Sequence, residues 1–184
     1  MTLLILDFRV PDLAGPALSH ALFEYFLALW PKFVCYAMSF LILGVLWIGH
    51  HNQFHFIQRS DRFLLWINLA FLMAIAFIPF STAFLGRYWS ERLALTLYGG
   101  NVALGGVILY AHWRYATARG LSDLADAVAV RLIGGRILIG VAANLLAIAI
   151  GEFRPEWSLF IYVAILFIYI IPGRVDRYWK VQKP

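Results

Sequence analysis

Four of the five histidines, His50, His51, His55 and His112, are the side chains best suited to hold a metal or carry a proton. His51 and His55 stand four residues apart, so a helix would place both on one face, where two imidazoles can share a metal. The glutamate of a His-Glu-x-x-His motif is missing, and no cysteine lies nearby. A haem asks for histidines well inside opposed helices, whereas these four fall near the ends of apolar runs. Two readings stand on these residues: polar groups hydrogen-bonding or snorkelling at a membrane rim, and a membrane metal or haem site using His51, His55 and His112.

Other chemistry is thin. No nucleophile elbow, phosphate-binding loop or pair of intramembrane carboxylates occurs, so the chain does not read as an enzyme and asks for no cofactor. Ser39, Asn68, Thr96, Asn101 and Asn144 are the polar residues inside apolar runs, and they read mostly as hydrogen-bonding glue between helices. No Asp, Glu, Lys or Arg falls at the middle of a run, where proton pumps and many ion-coupled transporters place one. The pairs Gly99-Gly100, Gly105-Gly106 and Gly134-Gly135 suit close helix approach. Pro79 should kink its helix, with Ser81 or Thr82 re-satisfying the carbonyls it frees.

The elements that must carry these residues are membrane helices. Of 184 residues, 62% are apolar and 14% charged, and mean hydropathy is +0.78. A soluble domain has roughly 45–50% apolar and about 25% charged residues. Five apolar runs, at 33–49, 63–85, 93–113, 132–151 and 157–172, are each close to the ~20 residues a helix needs to cross a bilayer. Alternating β-barrel patterning is absent, and lipid leaves no unpaired backbone, so the runs read as helices. A sixth apolar piece, residues 2–6, is too short to span and reads as the end of a first helix whose start is missing. Residues 17–30 lie between Pro16 and Pro31 and read as a short interfacial or re-entrant helix, with Tyr25 and Trp30 at headgroup level. The single cysteine, Cys35, permits no internal disulfide.

Charge sets the orientation. Arg59, Arg62, Arg114, Arg119, Arg131, Arg136, Arg174, Arg177, Lys180 and Lys183 fall on one side, ten of the 15 basic residues. Arg9, Lys32, Arg87, Arg92 and Arg154 fall on the other. The first side is therefore expected to be cytoplasmic, C-terminal tail included. Basic residues spread over several short loops do not suit nucleic acid. The expected organisation is one transmembrane domain over 1–184: a first-helix remnant at 1–7, an external loop with the interfacial helix at 8–31, five spans within 32–173, and the tail at 174–184.

A series of segments goes further. Trp-Ile-Gly-His-His-Asn-Gln-Phe at 47–54, Asp61, Trp-Ile-Asn-Leu-Ala-Phe-Leu at 66–72 and Ile-Pro-Phe-Ser-Thr at 78–82 recur at separations that resemble the transmembrane protein 175 family. Those are bacterial and endolysosomal potassium channels with six helices per repeat. Residues 2–7, followed by Arg9-Val-Pro, resemble the end of that family's first helix. The resemblance implies an all-α polytopic fold with five full transmembrane helices plus the end of a truncated first pore helix. It also implies a potassium-selective channel subunit in a bacterial inner membrane, assembled as a homotetramer, with potassium ions and the bilayer as partners.

In the family the first helix lines the pore with apolar rings and a threonine. Carried onto this chain, the pore-lining positions are Thr2, Leu3 and Leu6; Thr2 and Leu6 share a helix face at i, i+4. Trp47, His51 and Asn68 match the positions that hydrogen-bond the family's Arg-x-x-x-Phe-Ser-Asp signature. That signature and the apolar constriction one turn ahead of the threonine would fall before Met1, so conduction by the chain as it stands is expected to be impaired. The alternative is a non-conducting membrane protein, a truncated relic or an assembly partner.

Overall fold

The computed structural model describes residues 18–124 and 126–171. Seven helices follow one another along them: α1 (Leu18–Ala28), α2 (Trp30–Phe56), α3 (Arg62–Ala76), α4 (Ile78–Arg87), α5 (Arg92–Ala118), α6 (Ala127–Gly151) and α7 (Pro155–Ile170). The five expected spans coincide with α2, α3 continued by α4, α5, α6 and α7. Three segments, Arg62–Arg87, Arg92–Ala118 and Ala127–Gly151, are long and apolar enough to cross a bilayer by length and composition. The 16 residues of α7 are apolar but shorter, and the 27 of α2 carry histidine, asparagine and glutamine in the last two turns. The first-helix remnant at 1–7, with Thr2, Leu3 and Leu6, and the tail at 174–184 lie outside the described residues.

Local chemistry sets the helix ends. Asp61 Oδ1 accepts from the Leu64 N–H at 2.8 Å and caps α3, while Asp126 accepts from Val128 at 2.8 Å and caps α6. Pro155 opens α7, where its missing N–H costs nothing. Helix α5 ends in a Schellman turn: the Gly120 N–H donates to Thr117 at 3.3 Å and the Leu121 N–H to Ala116 at 2.9 Å. Gly120 sits at φ +64°, a conformation that glycine adopts without penalty. The loop between α5 and α6 is thus short, with Arg114, Arg131 and Arg136 on the flanking helices. Leu29 breaks the chain between α1 and α2, and Pro31 falls in the first turn of α2 rather than closing the short helix.

The loops join the helices on the basic side. The Gln58 N–H donates to the Leu121 carbonyl at 3.0 Å, and the Asp123 N–H to the Phe56 carbonyl at 2.9 Å. Gln58 Nε2 adds a bond to Asp123 Oδ2 at 3.1 Å. On the far side Arg92 pairs with Glu152 at 3.5 Å, tying the start of α5 to the end of α6.

Helix α5 runs through the middle of the bundle. Over its most apolar stretch 56% is buried, against 22% for each of the other two long spans. Leu95, Tyr98, Val102 and Leu109 of α5 meet Ile42 and Leu46 of α2, Phe71 of α3, Ile78 of α4, Ala147 of α6 and Tyr162 of α7. Phe63, Trp66, Met73, Phe80, Ile139 and Phe167 point outward and are exposed, an arrangement that hydrocarbon tolerates and water does not.

Close approach depends on one glycine of each sequence pair. A Cβ on Gly99 would lie 2.2 Å from the Tyr162 hydroxyl and 2.8 Å from Ile148 Cγ1, and one on Gly106 would lie 2.7 Å from Val141. Gly100 and Gly135 face open space. Tyr162 cannot yield, because it is buried and its hydroxyl donates to the Leu95 carbonyl at 2.9 Å. Gly99→Ala is therefore expected to destabilise the bundle by about 1–3 kcal/mol in denaturant titration of the detergent-solubilised protein, with Gly100→Ala close to neutral. Equal effects at the two positions would contradict this packing.

Candidate functional site

The polar side chains of α2, α3 and α5 converge near the basic ends of these helices. The helical repeat sorts those of α2. Residues 46, 50 and 53 fall on the side facing α3 and α5, while 47, 51 and 55 fall roughly 90–170° away, around the helix. Leu46 and Gln53 are accordingly buried and His50 half-buried, and Trp47, His51 and His55 are exposed.

Gln53 Nε2 donates to the Leu109 carbonyl at 3.1 Å, which leaves its amide oxygen facing His112. His112 Nδ1 lies 2.9 Å from that oxygen. An amide oxygen only accepts, so Nδ1 carries the proton and His112 Nε2 presents a lone pair. Nε2 is buried and finds no partner among the described residues. His50 Nε2 lies 2.7 Å from Asn68 Oδ1 on α3, and its ring stacks on Phe71 with centroids 4.8 Å apart. The rings of His50 and His112 are 5.8 Å apart, with Phe54 against both.

A second polar centre lies at the break between α3 and α4. Pro79 has no N–H to give, and Phe77 interrupts the helix. Ser81 and Thr82 hydroxyls both donate to the Ile78 carbonyl, at 3.0 and 2.9 Å, rather than to the Ile75 carbonyl that the missing Pro79 N–H leaves. Asn101 of α5 bridges the break. With the amide oriented to satisfy both neighbours, its nitrogen donates to the Ala74 carbonyl and its oxygen accepts from the Ile78 N–H, each at 3.1 Å. One side chain thus replaces the helical bond between Ile78 and Ala74.

Asp61 links the basic loops to α5. While Oδ1 caps α3, the Tyr115 hydroxyl donates to Oδ2 at 2.7 Å. The Leu64 N–H first, and the Tyr115 hydroxyl second, hold the Asp61 carboxyl below the ordinary carboxylate range. The Arg119 guanidinium lies over the Tyr115 ring, 5.7 Å from its centroid.

Trp47 and His51 stack on each other, centroids 5.1 Å apart, on the exposed face of α2. Asn68 is engaged by His50 rather than His51. His51 and His55 face outward and His112 inward, so the three histidines of the metal or haem reading do not converge. Among the described residues no group of three or more His, Cys, Asp or Glu could hold a metal. Asn101 and Asn68 do bridge helices; Asn144 bonds the Gly140 carbonyl of its own helix at 2.8 Å, and Thr96 is exposed. The Gln53–His112 pair was missed, although the spacing of Gln53 from Ile42 and Leu46 marks the buried face of α2. Two imidazoles and two amides without a carboxylate make no nucleophile–base pair; the arrangement holds α2, α3 and α5 in register.

Comparisons with known proteins agree on one family. The family model described as endosomal/lysosomal potassium channel TMEM175 matches residues 1–79. A potassium channel of Streptomyces collinus is 36% identical over 147 residues, covering 76% of this chain and 69% of the relative. A potassium channel of Chamaesiphon minutus is 30% identical over 162 residues, covering 85% of this chain and 79% of the relative. The crystal structure of a lysosomal potassium-selective channel TMEM175 homolog from Chamaesiphon minutus is similar at a TM-score of 0.73 and 26% identity, covering 92% of this chain and 87% of that one.

Gln53→Leu strands the buried His112 Nδ1–H and should cost about 1–3 kcal/mol, whereas Gln53→Leu combined with His112→Phe removes both partners and should recover most of that loss. A double variant no more stable than the single one would show that the pair is not coupled. Asp61→Ala should lower the thermal midpoint at neutral pH. A depressed carboxyl contributes stability above its unfolded value of about 4 and loses it as pH falls through the folded value, so the gap between wild type and variant should narrow on acidification. A gap independent of pH would refute the assigned role of the Asp61 carboxylate.

Proposed function

The chain belongs to the TMEM175 family, and from that membership we propose that it is the subunit of a potassium-selective channel, assembled as a homotetramer, with a pore lined by Thr2, Leu3 and Leu6. The observation that carries the reading is that relatives matched over most of this chain are potassium channels. Apolar rings select by diameter and by the ease with which they dewet, so a leucine collar beside a threonine is a constriction rather than a carbonyl filter. Thr2 to Leu6 spans about 6 Å of helix axis, one ring of such a collar.

In this reading the stacked Trp47 and His51 present a polar, aromatic surface to the first helix, while Asn68 acts through His50. The whole chain is one transmembrane domain, with α1 in the outer interface of a bacterial inner membrane. The C-terminal tail is cytoplasmic, on the side with most of the arginines.

Purified protein in planar bilayers under opposed potassium and sodium gradients tests the proposal. The 184-residue chain and the same chain carrying a TMEM175-type first helix ahead of Thr2 are recorded side by side. A reversal potential close to that of potassium from either supports the channel. Folded, bilayer-inserted protein silent in both forms would favour a non-conducting membrane protein. Leu6→Ala should move the reversal potential toward zero by widening the collar; an unchanged value removes Leu6 from the pore.

A further inference from the structure

The last two turns of α2 carry its polar contact with α5. Gly49 brings the two helices close there, for a Cβ built on it would lie 3.4 Å from Leu109 Cδ2. One turn later Gln53 reaches the same stretch of α5 with both ends of its carboxamide. Nε2 donates to the Leu109 carbonyl at 3.1 Å, and Oε1 accepts from the His112 Nδ1–H at 2.9 Å. Gln53 and His112 are both fully buried, so neither bond has water to exchange with.

Leu109 and His112 are three residues apart and therefore neighbours on one face of α5. A planar amide held at both ends by that face cannot turn about one bond without breaking the other. The nearest polar tie along α2 is single: His50 Nε2 lies 2.7 Å from Asn68 Oδ1 on α3. One bond is a pivot, and the joint at Gln53 stops α2 from turning on it.

Trp47 and His51, stacked on the exposed face, stand roughly 120–160° around α2 from Gln53. A helix turns as a rod, so this pair moves whenever the Gln53 side chain lets go. Side chains reach about 5–6 Å from a helix axis, so a turn of ~20° carries them some ~2 Å. Functional groups need placing to within about 0.5 Å and 10–20°. We infer that Gln53 and His112 are positioning residues for ion selection: their two-point joint sets the angular phase of α2, and with it the place of Trp47 and His51 behind the pore-lining helix. The inference rests on the channel reading above, in which that outer face supports the first helix.

The double variant Gln53→Leu with His112→Phe separates positioning from stability, because it removes both partners and leaves no buried group stranded. Gln53→Met, closer to glutamine in length, replaces Gln53→Leu if the thermal midpoint falls. His112→Asn keeps an N–H close to the place of Nδ1 and is the conservative counterpart. Each protein is made with fluorotryptophan, and the Trp47 fluorine resonance is identified by its loss in Trp47→Phe. Each is also recorded in planar bilayers under opposed potassium and sodium gradients, with and without a TMEM175-type first helix ahead of Thr2. The double variant should move or broaden the Trp47 resonance and lose most of its preference for potassium at a near wild-type thermal midpoint. His112→Asn should keep both the resonance and the preference. A Trp47 resonance unmoved in the double variant, or a preference unchanged there, would overturn the inference. So would an equal loss in His112→Asn, since ring volume rather than the bond would then be responsible. A wild type silent in both forms would remove the channel reading itself, and the selective role with it, whatever the Trp47 resonance does.

Discussion

In hydrocarbon a polar group has no water to fall back on, so a buried hydrogen bond fixes both the distance and the orientation of the helices it joins. Helix α5 makes such a bond to every neighbour. Its Leu109 carbonyl and His112 hold Gln53 of α2, Asn101 bridges the break between α3 and α4, the Trp113 indole donates to the Val130 carbonyl of α6 at 3.1 Å, and its Leu95 carbonyl accepts from Tyr162 of α7. Apolar contact alone would let these helices slide, because lipid tails compete with leucine for the same surface. Each polar bridge supplies the register that the greasy faces lack. The glycines then set the spacing, with Gly99 and Gly106 bringing α7 and α6 onto opposite stretches of the same central helix.

That logic also accounts for the break at Pro79. A missing backbone bond in lipid is costly unless other groups take its place, and the two hydroxyls that follow the proline donate to the Ile78 carbonyl, with Ser81 Oγ also 3.1 Å from the Asn101 amide. The Ala74 carbonyl and the Ile78 N–H need a group with both a donor and an acceptor, which is what a carboxamide offers. Asn101 is therefore not interchangeable with serine or threonine at that position, and the kink and the α4–α5 contact form one unit.

How far all this was legible follows from which interactions are local. The spans could be read from hydropathy, the α3–α4 break from Pro79, and the caps from Asp61 and Asp126, since each depends on residues within a turn or two. The partner of Asn101 and that of His112 depend on two helices meeting, which a single sequence does not state. The His50–His51 pair shows the limit from another side. The resemblance gives His51 to the first helix's signature, and the helical phase of α2 leaves His51 stacked with Trp47 on the outer face while His50 turns toward Asn68. The glycine pairs behave alike: composition marks both members, and only the packing tells Gly99 from Gly100.

The division of α2 into two faces bears on where an ion could pass. Where α2 meets α3, α4 and α5 the bundle is filled by Leu46, Phe71, Ile78, Tyr98 and Leu109. A file of hydrated ions needs a lined passage across ~30 Å, and side chains packed at interior density leave no such room. The outer face of α2 is different: Trp47 and His51 lie side by side on it, exposed, next to Ile48. Under the proposed assembly that face meets the first helix, and the conduction path lies where first helices of several copies converge rather than inside any one bundle. The polar bridges of α5 then act at a distance from the ions. They hold α2 rigid from behind, so that the helix it supports can keep a collar of leucines at a fixed diameter.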